Sequence, residues 1–286
     1  MRLRKVFSLV CSFFLPAFLV SVSGREGPLL DKGPTVHSLI SELNACNGKD
    51  TFQIAWRIRR QPDWHTYWLH PGDVGVPPSI EWDLPAGVEA SPLVFPPPKR
   101  VLMGEVAAYG HHDETLFVSE ISFSEAFVPK DRLVIRGKAA WLACSQTCLP
   151  GFGELELSMP IHTENLKDKS WTGHFLSFQK KLPVPPPDGW QAQAFDDGSK
   201  LRIIIPEEPD ATIPGIYFFS EGRTVKSDAM QPVRPKNGSW ELQMTRSAWS
   251  SKSETHLRGL LYRKAGWQGD PTLQFYQVSL PLIKRE

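Results

Sequence analysis

Cys144 and Cys148 are the residues whose type and spacing could do chemistry. Three residues separate the two thiols, which places them at i and i+4 around a tight connection. Such a connection brings two sulfurs within bonding reach when the Cα separation allows it. A permanent disulfide stabilises mainly by restricting the unfolded chain. For a five-residue loop that effect is about 2 kcal/mol, against about 3 kcal/mol for fifteen residues. A domain of ordinary size with a normal apolar content does not depend on so small a gain. A bond that contributes little to stability is well placed to be made and broken, so redox exchange is the leading reading. Two alternatives stand beside it: a passive hairpin staple, and a soft-metal site for which the sequence names no convincing third ligand.

The elements that must position the pair are strands. Leu133, Ile135, Ala139 and Trp141 fall on one face of an alternating run that leads into Cys144, and Gly153 to Met159 returns as the next strand. Upstream, Phe52 to Arg59 alternates cleanly. Trp64 to Leu69 follows a Pro62-Asp63 turn, and Pro71 to Gly75 reads as a loop with backbone freedom at two glycines. Ile80 to Leu84 and Thr115 to Ile121 read as short strands. Ser91 to Lys99 carries four prolines and reads as an extended crossover or edge. Val101 to His112 reads as a loop. Strands at this spacing with turns between them indicate a β-sandwich.

At 286 residues the chain has room for two domains, and its 32 Lys+Arg against 31 Asp+Glu leave no broad basic face for nucleic acid. Residues 1–24 read as a signal peptide. Arg2, Arg4 and Lys5 precede an uncharged stretch from Val6 to Val22, with small residues near Ser23. The remainder is then exported, with a periplasmic location expected; the length of the apolar run is also compatible with an uncleaved amino-terminal anchor. Cys11 lies inside that segment. The mature chain keeps Cys46, Cys144 and Cys148, an odd number. Cys46 sits in a polar turn and reads as a half-buried small residue; an intermolecular or resolving thiol is the sharper alternative.

Beyond Pro160 the pattern changes. Trp171, Phe175 and Phe178 recur at helical spacing, which predicts a short amphipathic helix over 167–181, and Pro183 to Pro187 forms a stiff linker. Six further alternating stretches lie at 190–195, 201–205, 216–219, 240–244, 256–262 and 273–280. They predict a second sandwich without cysteine. The expected organisation is therefore all-β: a redox domain over 30–162, helix and linker over 163–188, and a second domain over 189–286.

Several stretches together resemble the amino-terminal periplasmic domain of the thiol–disulfide interchange protein DsbD family and its copper-tolerance-associated relatives. They are Trp64 to Trp68 with Pro71 to Gly75, then Tyr109-Gly110, then Trp141 to Cys144 and Cys148 to Pro150. The resemblance spans roughly 35–160 and is vaguer beyond 165. It implies two immunoglobulin-like domains and a protein-disulfide oxidoreductase of the reductase-relay type. In such a relay the pair carries electrons from a membrane-linked or thioredoxin-like reductant to oxidised periplasmic proteins. Those protein thiols and disulfides are the implied partners. Full-length relatives continue into membrane and thioredoxin-like domains that this sequence lacks, so the expected reductant is a separate polypeptide. By the same analogy Cys148 faces the partner, Cys144 resolves, and Tyr109 falls where relatives carry a shielding aromatic tip. Val106 to Ala108 lack the acidic and aromatic character seen there in some members.

Trp141 is expected beneath the pair or in ordinary core. Trp64, Tyr67 and Trp68 are expected in packing or at the rim of the site. No Lys, Arg or His lies between the two cysteines to favour a thiolate. His111 and His112 read as solvated loop residues. A copper(I) site built from Cys144, Cys148 and Met103 or His111 is an alternative of another class, as is a structural sandwich whose disulfide never opens. No cofactor, metal site or small-molecule substrate is assigned: serine triads, phosphate-binding glycine loops and spaced carboxylate pairs do not stand out.

Overall fold

The computed structural model describes residues 25–206, 215–251 and 253–284. The expected signal segment and Cys11 lie outside these. The architecture is all-β with one short helix, and its strands form curled, immunoglobulin-like halves. In the amino-terminal half, one sheet runs in the order Leu30–Asp31, Thr35–Ser41, Phe52–Arg60, Glu114–Phe123, Val88–Ala90. The facing sheet runs Cys148–Pro160, Arg132–Cys144, His65–Tyr67, Val106–His111, Lys99–Met103, with Ser79–Asp83 also paired to Arg132–Cys144. Leu39, Ile54, Trp56, Phe117, Ile135, Trp141 and Leu157 fill the space between.

Thr35–Ser41 shows little alternation because its sheet is covered on both faces. Ile40, Ala55, Leu116 and Val118 point away from the core and receive Trp171, Phe175 and Phe178 from the helix side. The helix spans Thr172–Lys181, starting later than the pattern predicts. Leu166–Lys167 is instead paired with Leu43–Ala45, and the buried Asp168 turns the chain. Its carboxylate accepts from the Ser170 amide at 2.8 Å, and its carbonyl accepts from the Thr172 amide at 2.9 Å.

The segment 101–112, expected as a loop, is a hairpin. Lys99–Met103 pairs with Val106–His111, turning at Gly104, which takes φ +61°. This correction matters for the site, because the hairpin extends the sheet that holds the cysteines.

In the carboxy-terminal half the six expected strands are present, and Val233–Lys236 is added at an edge, where Pro235 costs no interior ladder bond. The final strand, Phe275–Lys284, pairs antiparallel with His256–Arg263 and then, over its last residues, parallel with Gln193–Asp196. One seven-stranded sheet thereby curls over a core of Ile203, Phe218, Trp240, Leu261 and Trp267.

The halves meet along a seam. Trp68 and Tyr109 from one side pack with Phe219 and Leu260 from the other. Asp73 adds a polar clasp: its carboxylate accepts from the Ser227 amide at 2.9 Å and from the Ser247 hydroxyl. Gly72 is in the left-handed region at φ +91°, and a Cβ there would lie 2.5 Å from the Ser227 Cβ. Only glycine lets the loop approach this closely.

Candidate functional site

Arg132–Cys144 and Cys148–Pro160 form one unbroken antiparallel ladder, in register from Arg132 opposite Pro160 to Cys144 opposite Cys148. Residues directly opposite in such a ladder bring their Cβ atoms close enough to bridge. Cys144 and Cys148 are joined by a disulfide with a Cα separation of 4.2 Å. The two sulfurs have different surroundings. Cys144 is fully buried, whereas Cys148, just past the turn, is exposed.

Strand parity decides what surrounds Cys144. Ala139, Trp141 and Ala143 point into the sandwich core, so Cys144 points the other way, into a small cluster with Tyr67, Val101 and Ala108. The Tyr67 hydroxyl donates to the Cys144 sulfur at 3.1 Å and lies 4.0 Å from that of Cys148. The Met103 sulfur sits 3.4 Å from the Cys148 sulfur; neither carries a proton while the disulfide is closed, so this is a packing contact. Gly75, at φ +102°, lies against the Tyr67 ring, where a Cβ would be 2.2 Å from Cε1. The loop from Pro71 to Gly75 therefore runs from the seam to the tyrosine that touches the disulfide.

Tyr109 occupies a different place from the shielding tip that the resemblance implies. On Val106–His111, Ala108 faces the sulfur cluster, so Tyr109 faces the opposite side. It is fully buried in the seam, edge-on to Phe219 at 5.2 Å and to Tyr217 at 6.3 Å. Trp68 shares that seam, and Trp64 packs on the edge of the core. Trp141 is core: its ring lies 3.7 Å from that of His37, and a Cβ on Gly151 would come within 2.3 Å of it. None of these four belongs to the cluster around the Cys144 sulfur. Tyr67 and Met103 do, and sequence reasoning had not singled out Tyr67 among its aromatic neighbours. The parity of Trp64 to Trp68 relative to Cys144 was the missing signal.

The electrostatics around the pair are quiet. Residues 139–153 contain no charged side chain. His65 is the register partner of Cys144, but burial first, then His112 and Arg60, lower its pKa to about 4. It is neutral at pH 7. His111, offered above for copper and expected as a solvated loop residue, is buried beside Phe117 with Nε2 3.1 Å from the Pro96 carbonyl, on the face of its strand away from Cys144. Cys46 is fully buried and unpaired, with its thiol pKa pushed up by burial. It bridges to Ile161 at the base of the long hairpin, roughly 40 Å of ladder from the disulfide at ~3.4 Å per residue. Among the described residues no cluster of three or more His, Cys, Asp or Glu could hold a metal ion, and no helix is long and apolar enough to cross a membrane.

Residues 39–160 match the family model described as thiol:disulfide interchange protein DsbD, N-terminal. This segment is a DsbD amino-terminal domain. No curated protein matches the sequence. The solved N-terminal periplasmic domain of ScsB from Proteus mirabilis superposes with a TM-score of 0.63 at 15% identity, covering 91% of this chain and 99% of that one. At that identity the likeness establishes the fold, and its coverage extends through both halves. The DsbD match, with the bonded cysteine pair at the exposed end of the hairpin, supports a thiol–disulfide exchange module.

Proposed function

We propose that the chain is a periplasmic electron relay in which Cys148 exchanges with partner proteins and Cys144 resolves. The observation that carries this reading is the asymmetry of the pair, one sulfur exposed and one fully buried beneath Tyr67. In the reduced state the Cys148 thiolate attacks a disulfide of an oxidised partner, forming a mixed disulfide and releasing one partner thiolate. The Cys144 thiolate then attacks the Cys148 sulfur, closing the internal disulfide and releasing the second partner thiolate. Two electrons have passed to the partner. A membrane-linked or thioredoxin-like dithiol returns the module to its reduced form by the same two steps in reverse.

Tyr67 supplies the nearest donor to the resolving sulfur, and neutral His65 adds no positive charge. Cys144 is thus held by position more than by activation. In this reading the exchange domain spans 30–162, and 189–286 forms a second domain joined through the helix and linker.

Two serine variants test the relay. Cys144→Ser keeps the exposed nucleophile without its resolver and should accumulate a mixed disulfide with a thioredoxin-like protein. Cys148→Ser keeps only the buried sulfur and should accumulate little. If the wild-type disulfide persists against a reduced thioredoxin-like protein and neither variant forms a mixed disulfide, the relay is wrong and a passive staple remains.

Met103 favours a second reading. Once the disulfide opens, its thioether and two thiols provide three sulfur donors in one cluster, a set suited to copper(I). Copper(I) titration of the reduced protein and of its double-serine variant separates the two: stoichiometric binding that the variant loses supports the metal reading.

A further inference from the structure

The seam between the halves opens on one side into a cleft of about 590 Å³, within the range of small-molecule sites. The carboxy-terminal half supplies one wall: Tyr217, Phe219, Tyr262 and Phe275, with Tyr217–Phe219 centroids 4.7 Å apart and Tyr262–Phe275 4.9 Å apart. Phe219 is buried beneath, while the other three rings remain partly open to the cleft. The opposite wall is the proline run 96–98, whose rings are apolar and stiff. Partly exposed aromatic rings across from proline form a slot for a planar apolar body.

The cleft is also positive. Lys99 and Arg100 reach it from one strand and Lys181 from the end of the helix, and all three are exposed. No Asp or Glu lines it, and among the described residues none of the three cations forms a salt bridge. Arg100 donates to the Asp228 backbone carbonyl at 3.2 Å and is hydrogen-bonded to the Tyr217 hydroxyl of the cleft wall. Asp113 and Glu114 line the adjoining cavity, which Lys99 and Lys181 also border; Glu114 is already paired to Arg57 at 2.6 Å. Three cations at the edge of an aromatic slot, without an ion-pair partner among the described residues, match one chemistry, a flat ring that carries an anionic group. The bounded volume suits a small molecule better than an extended acidic peptide, which calls for cations spaced along a groove.

We propose that this cleft binds a small aromatic carboxylate, its ring between the tyrosine–phenylalanine wall and the prolines and its carboxylate on Lys99, Arg100 and Lys181. A ligand there touches the amino-terminal half, the helix and the carboxy-terminal half at once, so binding braces the seam. The site lies apart from the disulfide and its test does not depend on exchange activity.

The test titrates naphthalene-2-carboxylate into the full chain by calorimetry, beside the neutral naphthalene-2-carboxamide and a hexaglutamate peptide. The expected result is one saturable site for the carboxylate, with the amide weaker by roughly tenfold or more, the scale of one charge-assisted hydrogen bond. The Lys99→Glu/Lys181→Glu variant should lose the carboxylate preference while its disulfide exchange stays unchanged. Tyr262→Leu should weaken both ring compounds alike. No saturable carboxylate binding, equal affinity for the amide, indifference to the charge reversal, or binding of hexaglutamate in place of the naphthalene compound would each overturn the proposal.

Discussion

The two halves bury polar groups in opposite ways. The amino-terminal half keeps its buried histidines neutral: burial lowers the pKa of His37 to about 3, of His65 to about 4 and of His111 to about 3, with Arg60 reinforcing each. Among its described residues the buried cation is Arg60, held by hydroxyls and carbonyls of Thr66, Thr115, Ile58 and Asp113, and burial lowers its pKa to about 9. The carboxy-terminal half buries a charged carboxylate instead. Burial alone would raise the pKa of Glu241, but donors on Lys236, Gln243, Arg234 and Arg202 outweigh it and hold the group ionised. The half that carries the disulfide thus keeps charged side chains out of the stretch 139–153 that holds its sulfurs, where a stray cation would bias one redox state. The half without a cysteine uses charge to tie strands together.

Acid should break this comparison most visibly. The three histidines have folded-state values below their unfolded value of about 6.5. Their contribution is present above that value and is lost as pH falls through it toward 3–4. At pH 5 the loss is about 2 kcal/mol for each, an upper bound near 6 kcal/mol for the three. Glu241 is depressed below its unfolded value of about 4.3, so its contribution is lost only at lower pH. Hydrogen exchange followed from pH 7 to 4.5 should show the amino-terminal half losing protection first. Earlier loss in the carboxy-terminal half would sink the distinction. Next in size is Glu241→Ala, which removes the shared acceptor of Arg202, Arg234 and Lys236 while Arg202 keeps Asp197, and should cost about 1.5–3 kcal/mol. Thermal unfolding of the reduced and oxidised forms should show that loss equally in both.

How much of this was legible depended on whether a strand had one buried face or two. Arg132–Cys144 has one, and its alternation pointed directly to the paired cysteines. Val106–His111 has two, one on the sulfur cluster and one on the seam, and five of its six residues are buried in succession. Period-2 alternation vanishes there, so the hairpin looked like a loop and the direction of Tyr109 could not be set. The same loss of parity hid Tyr67, whose strand His65–Tyr67 is buried throughout. Val233–Lys236 went unseen because Pro235 argues against an interior strand and tolerates an edge.

The seam offers a smaller perturbation that joins the halves. Asp73→Ala removes acceptors for the Ser227 amide and the Ser247 hydroxyl, at a cost of about 1–3 kcal/mol. Because Gly75 of the same loop rests on Tyr67, the effect should reach the site. Reduction of the disulfide by dithiothreitol should quicken, with hydrogen exchange rising in 71–75 and little change in the strands of either half. An unchanged reduction rate despite a loosened loop would show that the halves are coupled in position only.

Tyr67→Phe is the finest probe, since it deletes one oxygen and leaves the ring beneath Gly75. The hydroxyl donates to Cys144, and a donor of this kind stabilises a thiolate more than a disulfide sulfur, because the negative charge strengthens the bond. Removing it should therefore disfavour the reduced state and make the potential more negative. A neutral hydrogen bond contributes about 1 kcal/mol, equivalent to roughly 20 mV for a two-electron couple. The resolving step should slow by less than about tenfold, whereas attack by exposed Cys148 should change little. Equilibration against a glutathione buffer gives the potential, and the decay of a preformed mixed disulfide gives the resolving rate. A shift to a less negative potential would mean that the hydroxyl favours the closed disulfide, and Tyr67 would then be a latch on the bond instead of a support for its opening.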